Sequence, residues 1–402
     1  MEPYRLFFPL GALYAIAGTA LWTASAFGWP PYPATLHRML MIEGFELAFV
    51  AGFLLTAIPG LTHSEKARPA EVAAGLGALA LFGVLAVAGL HTWAHVAAAA
   101  VIGVLVVAAL RRLPRATLAP PVEFVFIALG LCFGLAGTVI LALDPAGQLL
   151  PHLPRLGDRL LSLGMVLSLV LGVGGLLVPT FSGMRDPLEI PLIARPHERG
   201  PRFVFYAAVM GGLLAAFALE IAQLPLAGAI VRALAGTAIL VMVWKLPRGP
   251  GRGDLSAYAM WGAGVMTLLG LWLLVLLPAR PMAGLHVLFI GGYGLLTFAI
   301  GTRVVVAHGR HGLTAEPQVF GPLAAAFVAG ALLLRVAAEH FGGIAIHLYG
   351  WAGGAWTLAW IAWAAGALPR IARLNATPTP HGTGPARPPV TISSDPRDAR
   401  RT

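Results

Sequence analysis

Long apolar runs, separated by short polar loops, recur along the whole chain. A helix needs about 20 apolar residues to cross the hydrocarbon core of a bilayer, because unsatisfied backbone groups are too costly in lipid. Twelve such runs predict twelve transmembrane helices, near residues 6–27, 37–58, 70–90, 92–110, 122–143, 158–178, 203–222, 227–246, 257–277, 284–306, 319–338 and 347–368. The pattern therefore predicts an all-α, polytopic membrane domain over residues 1–374.

Each end of the chain has a sequence feature of its own. Ala24-Ser25-Ala26 in the first run is similar to a signal-peptidase site. The apolar stretch is longer than the 7–15 residues of a typical signal core, so we expect a retained helix. Residues 375–402 are rich in Pro, Thr, Ser and Arg and have no apolar period, which predicts a disordered cytoplasmic tail.

The composition supports this class and excludes others. Hydrophobic residues make up 58% of the 402 residues and charged residues 11%, whereas soluble domains carry about 25% charged residues. The net charge of +10 comes from arginines that lie between apolar runs or in the tail, so no nucleic-acid face is expected. With Cys132 alone, no disulfide framework, zinc spacing or C-x-x-C-H haem attachment is available.

The basic residues are distributed unevenly between the loops. Twenty-one of the 27 Lys and Arg residues fall on the side of the N-terminus, the even-numbered loops and the C-terminus. Cytoplasmic loops of membrane proteins carry this excess, so both termini are predicted to be cytoplasmic.

Several histidines begin predicted helices from the outer side and therefore share a similar depth. His37 begins the second helix, His91 and His95 the fourth, His286 the tenth and His347 the twelfth. Imidazole is a common ligand of haem iron and copper, and ionisable groups at membrane depth normally face a bundle interior or a cavity. These helices could hold a haem edge-on, or a copper ion, near the outer leaflet. Equally, polar residues are common where helices enter the interface.

The second helix carries further polar groups. His37 and Met41 are four residues apart, which suits a soft ion such as Cu(I), although methionine more often only packs. Glu43 and Glu46, three residues apart, are expected on one face. They could pass protons or form interhelical hydrogen bonds.

In the tenth helix, glycines permit close approach by a neighbouring helix or by a flat macrocycle. These glycines are Gly291, Gly292 and Gly294. Arg303 lies near the inner end, where it could anchor the helix at the interface, and His308 follows it.

Taken together, these segments resemble the NnrS family of bacterial membrane proteins. The tenth helix carries the similarity most clearly, through Leu285, His286, Leu288, Gly291, Gly294, Thr297, Thr302, Arg303 and His308. The second helix is similar over residues 51–59. Members of the family are described as binding haem and copper and as protecting cells against nitric oxide.

The resemblance implies a cofactor site near the periplasmic side of the bacterial cytoplasmic membrane. It implies His37 and His286 as ligands, position by position, with His95, His347, Gly291 and Gly294 as further cofactor-binding candidates. The second helix of the family usually opens H-x-H-E, but here the stretch is His37-Arg38-Met39-Leu40. Met39 thus replaces the second histidine and offers a thioether, so the candidate metal ligands are His37, Met39, Met41 and His286.

Two other classes of membrane protein share features with this sequence. A respiratory haem–copper reductase also needs histidines on helices 6 and 7, and neither run contains one. A proton-coupled secondary transporter without haem would use Glu43, Glu46 and Glu220. Loosely similar Pro- or Gly-containing turns end helices 2, 6 and 10, which hints at a four-helix repeat. No soluble catalytic motif is present, so the sequence predicts no particular enzymatic reaction.

Overall fold

Each of the twelve predicted runs forms a helix in the computed structural model, which describes residues 2–29, 32–117, 120–144, 147–148, 150–184 and 196–373. The helices are α1 (Tyr4–Ala26), α2 (Ala34–Thr62), α3 (Pro69–Val87), α4 (His91–Arg112), α5 (Phe124–Leu143), α6 (Leu153–Phe181), α7 (Pro196–Ile221), α8 (Pro225–Met242), α9 (Leu255–Leu276), α10 (Pro281–His308), α11 (Pro322–Ala337) and α12 (Ala345–Ala372). These segments contain no strand, so the predicted all-α class is confirmed. The predicted tail, residues 375–402, lies outside the described residues.

Ten helices of the described chain, α1 to α10, are long and apolar enough to cross a membrane. The other two predicted spans are helical but are not among these ten. One of them, α11, has only 16 residues. The protein is therefore a multi-pass, membrane-type helical bundle, and the structure supports ten of the twelve spans that the hydropathy pattern predicts.

Three of the spans are inner helices. In α2, α6 and α10, 78%, 83% and 67% of the apolar stretch is buried inside the protein, against 28–56% in the other seven spans. The outer helices pack mainly against their neighbours in sequence, and α12 packs against α1. Because the first and last helices meet, the bundle is closed around the inner helices, and α2 contacts both α6 and α10.

All three inner helices have the same interruption. Each begins with six or seven α-helical residues and then passes through a π-helical segment, at Leu40–Glu46, Leu160–Val166 and Val287–Gly294. A π segment replaces i→i+4 bonds with i→i+5 bonds and is frequent at functional sites. The inner helices are four apart in chain order, so their shared interruption agrees with the predicted four-helix repeat.

One glycine in each π segment lets an inner helix approach an outer one closely. An added Cβ at Gly44 would lie 3.0 Å from the Tyr14 ring, and one at Gly164 would lie 2.9 Å from Phe133. At Gly291 the same atom would lie 2.8 Å from Met266. The three contacts join α2 to α1, α6 to α5 and α10 to α9, so they are equivalent under the repeat.

An aromatic cluster fills the space between α2, α10 and α12. Trp360 stacks on Phe298 with ring centroids 4.0 Å apart, and Phe45 meets Trp360 edge-to-face at 5.0 Å. The indole of Trp363 donates to Thr302 Oγ1 at 3.0 Å. Aromatic pairs of this kind add to the burial of apolar area, so the cluster holds these three helices together.

Candidate cofactor site

A cavity lies between the two inner helices α2 and α10 and the outer helices α1, α11 and α12. The space between its walls is about 680 Å³, including open solvent, and the part that the centre of a water molecule can reach is about 80 Å³. The polar side chains and methionine that line it include His37, Met41, Glu46, His286, Tyr293 and Arg335.

His37 reaches the cavity from the first turn of α2. Its Nδ1 is hydrogen-bonded to the carbonyl oxygen of Gly18 on α1, at 2.9 Å. The Trp22 ring meets the imidazole edge-to-face, with centroids 5.7 Å apart. The helices are close here, because a Cβ added at Gly18 would lie 3.2 Å from Leu40 Cβ. The imidazole is thus fixed both by a hydrogen bond and by an aromatic wall.

His286 reaches the same cavity from α10, just before the π segment of that helix. Its Nδ1 is hydrogen-bonded at 2.8 Å to the carbonyl oxygen of Met282, in the preceding turn. Phe289 lies beside the ring, with centroids 6.0 Å apart. The side chain is therefore held by its own helix, whereas His37 is held by a neighbouring one.

The two imidazoles share the same hydrogen-bonding pattern and the same tautomer. A carbonyl oxygen only accepts hydrogen bonds, so Nδ1 carries the proton in both His37 and His286. Each Nε2 then keeps its lone pair. Histidines that bind metals typically donate the other ring N–H to a carbonyl or carboxylate in this way, which fixes the tautomer and orients the ring.

One cationic side chain lines the cavity. Arg335 of α11 donates to Glu339 Oε1 at 2.6 Å, and its guanidinium lies 4.4 Å from the centroid of the Tyr349 ring. Only 13% of the side chain is exposed. An arginine inside an apolar bundle is costly unless it is paired. The stacked and paired guanidinium brings positive charge to the wall of the cavity.

Farther along the inner helices, Glu46 and Tyr293 line the cavity. Thr297 Oγ1 of α10 donates to Glu46 Oε2 of α2 at 3.3 Å, which links the inner helices. The buried Tyr293 Oη and Trp356 Nε1 have no hydrogen-bond partner in the structure. Unsatisfied buried donors cost about 1–3 kcal/mol each.

These residues suit a haem. Neutral imidazole with a free Nε2 is a common ligand of haem iron, and the arginine could pair with a haem carboxylate. They also leave room for copper, because Met41 lines the cavity beside both histidines. Met39 does not line it and is buried, with 1% exposed. Within the described residues, no group of three or more His, Cys, Asp or Glu side chains is placed to hold a metal ion.

Two of the other candidate histidines lie away from this cavity. His95 Nδ1 is 2.8 Å from Glu43 Oε1, and both side chains are only 3% exposed. The pair joins α4 to α2 on a different face of α2. His347 is exposed at the start of α12, and it does not line the cavity. The structure therefore brings together His37 and His286 but neither His95 nor His347.

The expectation that Glu43 and Glu46 share one face of α2 is wrong. Glu43 faces His95 on α4, whereas Glu46 faces the cavity and Thr297 on α10. Both residues lie in the π segment Leu40–Glu46, whose wider turn rotates positions three apart away from each other.

The remaining candidates in α10 make packing and ionic contacts. A Cβ added at Gly294 would lie 2.3 Å from Trp356 Cη2, and Gly291 packs on Met266. Neither glycine lines the cavity. Arg303 is paired with Glu316 and lies over the Phe181 ring at 4.5 Å, and it does not line the cavity.

His308 ends α10 next to the Tyr4 ring, with centroids 5.9 Å apart. Glu220, a candidate for proton transfer, lies in another part of the bundle. It accepts hydrogen bonds from Arg159 of α6 at 2.9 Å and from Arg232 of α8. Neither His308 nor Glu220 lines the cavity.

A comparison with known protein families finds one that matches nearly the whole chain. The model of the NnrS family, described as NnrS protein, matches residues 1–374. The chain belongs to the NnrS family. A search of the curated proteins finds no match. The match covers every described element, so the NnrS-type bundle and the cavity between α2 and α10 belong to the same unit.

Sequence reasoning missed Arg335 as a site residue of this NnrS protein. It was counted only as one of the outer basic residues. An arginine in an apolar run was itself a usable indication, because intramembrane charges commonly mark functional sites. Nothing in the sequence indicates that the buried polar atoms of Tyr293 and Trp356 lack hydrogen-bond partners.

Proposed function

We propose that this NnrS protein binds haem in the cavity between α2 and α10, and that His37 and His286 would hold it. The observation that carries the proposal is the pair of imidazoles in one cavity, each with Nδ1 bonded to a main-chain carbonyl oxygen. The two rings come from separate helices, α2 and α10.

Arg335 supplies the complementary charge. A haem brings two carboxylates into a low-dielectric site, and charge-assisted hydrogen bonds there are stronger than neutral ones. Arg335 is already held by Glu339 and by stacking on Tyr349, so little side-chain entropy is lost when it binds. Trp22 and Phe289 meet the two imidazoles edge-to-face.

The proposed role is in the nitric oxide response of the bacterial cytoplasmic membrane, in line with the family. When bound, haem would supply one-electron chemistry or a binding face for a diatomic ligand. His37 would be oriented by the carbonyl of Gly18 on α1, and His286 by the carbonyl of Met282 on its own helix. Copper, bound by His37, His286 and Met41, is the alternative metal for the same cavity.

The experiment is an absorption spectrum, with metal analysis, of the protein purified after expression with haem supply. We expect haem bands in the wild type, and their loss or strong reduction in His37→Ala and in His286→Ala. His347→Ala is the matched control: it removes an exposed histidine outside the cavity and should leave the bands unchanged. A wild type without haem bands, or two alanine variants with unaltered spectra, would contradict the proposal.

A further inference from the structure

Four side chains from four different helices form a continuous series of contacts along the wall of the cavity. The Trp22 ring of α1 meets His37 of α2 edge-to-face, with ring centroids 5.7 Å apart, and meets Tyr349 of α12 in the same way at 5.2 Å. The guanidinium of Arg335 on α11 lies 4.4 Å from the centroid of the Tyr349 ring. All four residues line the cavity. The contacts therefore connect a candidate ligand, His37, to the cation in the cavity wall.

The helix backbones that carry the two middle rings are packed tightly together. Gly350 directly follows Tyr349, and a Cβ added at this glycine would collide with the Cβ of Ala26 on α1. Thr23 directly follows Trp22, and its Oγ1 donates to the carbonyl oxygen of Gly350 at 2.9 Å. Packed interiors have little free space, so this seam between α1 and α12 fixes where the Tyr349 ring lies relative to Trp22.

Arg335 brings positive charge to the cavity, while its ionic partner does not line it. Arg335 Nη1 donates to Glu339 Oε1 at 2.6 Å, and only the arginine is part of the cavity wall. The arginine side chain keeps 13% of its surface exposed, so its partners do not cover it completely. A guanidinium has five N–H donors, so one bond to Glu339 leaves donors for a carboxylate in the cavity.

The Tyr349 ring determines where this charge lies. A guanidinium over an aromatic face is attracted to it, and the attraction is stronger where water is excluded. Without the ring, Arg335 would keep its bond to Glu339, which lies four residues farther along the chain, and would follow that partner. With the ring, the guanidinium is held beside a side chain that Trp22 fixes against His37.

We infer that Tyr349 and Trp22 are positioning residues, which hold the Arg335 guanidinium at a fixed place relative to His37. The cavity then selects a planar macrocycle that carries a carboxylate over the same macrocycle without one. Trp22 acts through Tyr349, and Tyr349 acts through Arg335. This inference rests on the proposed function, because it specifies which chemical feature of the bound macrocycle the cavity recognises.

Binding of an iron-free porphyrin separates this inference from ligation by the histidines. Protoporphyrin IX and its dimethyl ester share one ring, contain no metal for an imidazole to bind, and differ only at the carboxylates. The dissociation constants of both are measured on the purified full-length protein by porphyrin fluorescence. The acid preference is the ester value divided by the acid value. The two probes partition differently into detergent, so this preference is compared between variants, with Arg335→Gln as the variant that lacks the cation.

We expect the acid preference of the wild type to be about tenfold or more above that of Arg335→Gln, since the carboxylate loses a hydrogen bond to a charged group. Tyr349→Leu should lower the preference by about threefold or more, whereas Tyr349→Phe, which keeps the ring, should retain most of it. Trp22→Leu should lower the preference in the wild-type background but not in the Tyr349→Leu background. Lost packing alone would weaken acid and ester alike and leave the preference unchanged.

Tyr258→Leu is the matched control, because Tyr258 is exposed on α9 and does not line the cavity. Its acid preference should equal that of the wild type. A full acid preference in Tyr349→Leu or in Trp22→Leu removes the positioning role of that residue. A wild type that prefers the acid no more than Arg335→Gln does, or that binds neither porphyrin, overturns the inference as a whole.

The haem proposal and this inference fail in different ways. If the haem bands are unaltered in His37→Ala and His286→Ala while the porphyrin preferences follow these expectations, ligation by the histidines is contradicted and the positioning role stands. If the haem bands depend on both histidines but the acid preference is absent, the positioning role is contradicted and the haem proposal stands.

Discussion

His37 and His286 face one cavity from the two inner helices, and each has its Nδ1 committed to a main-chain carbonyl oxygen, at 2.9 Å and 2.8 Å. The carbonyls come from different sources, since Gly18 belongs to α1 and Met282 to α10 itself. A metal or haem ligand needs both a free lone pair and a fixed ring, and these two residues have both.

The arginine in the cavity wall should strengthen haem binding. Replacing Arg335 with Gln removes the cation while keeping hydrogen-bonding capacity. A hydrogen bond to a charged group contributes about 1.5–3 kcal/mol, so we expect haem to be held about tenfold or more weakly. The measurement is the rate and extent of haem transfer to an acceptor protein. Arg280→Gln, at an exposed position before α10, should leave both unchanged. Equal loss from the two variants would argue against a direct role of Arg335.

The buried Glu43–His95 pair should stabilise the bundle without affecting the cofactor. Removing one partner of a buried hydrogen bond leaves the other unsatisfied and typically costs about 1–3 kcal/mol, whereas replacing both with apolar side chains is often nearly neutral. We therefore expect His95→Leu to lower the unfolding temperature in detergent clearly, and the double variant Glu43→Leu/His95→Leu to recover most of the loss. Haem bands that disappear in folded His95→Leu protein would show instead that this histidine serves the cofactor.

Close packing at Gly294 should be essential to the seam between α10 and α12. A Cβ at this position would lie 2.3 Å from Trp356 Cη2, and overpacking of a well-packed core costs about 1–3 kcal/mol. Gly294→Ala should lower the unfolding temperature accordingly. Gly330→Ala on α11, where an added Cβ meets nothing within 4 Å, is the control and should be neutral or slightly stabilising. Equal stability of the two variants would contradict the packing role.

The sequence predicted the helices because apolar length is a local property. The predicted run 284–306 corresponds to the helix Pro281–His308, and the predicted run 6–27 corresponds to the helix Tyr4–Ala26. Even the run with the largest shift, 203–222, lies almost wholly within the helix Pro196–Ile221. Hydropathy also predicted α11, although the helix is shorter than its run and is not among the ten candidate spans.

The π segments could not be read from hydropathy, and they decide which side chains enter the cavity. A constant helical period places Glu43 and Glu46 together, but the π turn between Leu40 and Glu46 sends Glu43 toward His95. The sequence pattern placed five histidines at a similar depth in the membrane. Depth alone does not determine which face of its helix a side chain occupies. Only the tertiary packing places His286 opposite α2 and leaves His347 exposed.

The electron paramagnetic resonance spectrum of the oxidised, haem-loaded protein tests the central claim most directly. Two imidazole ligands give low-spin ferric haem, so the wild type should show a low-spin signal. His37→Ala or His286→Ala protein that retains some haem should show a high-spin signal instead. A wild type whose ferric haem is high-spin, or whose low-spin signal survives both substitutions, would contradict ligation by His37 and His286.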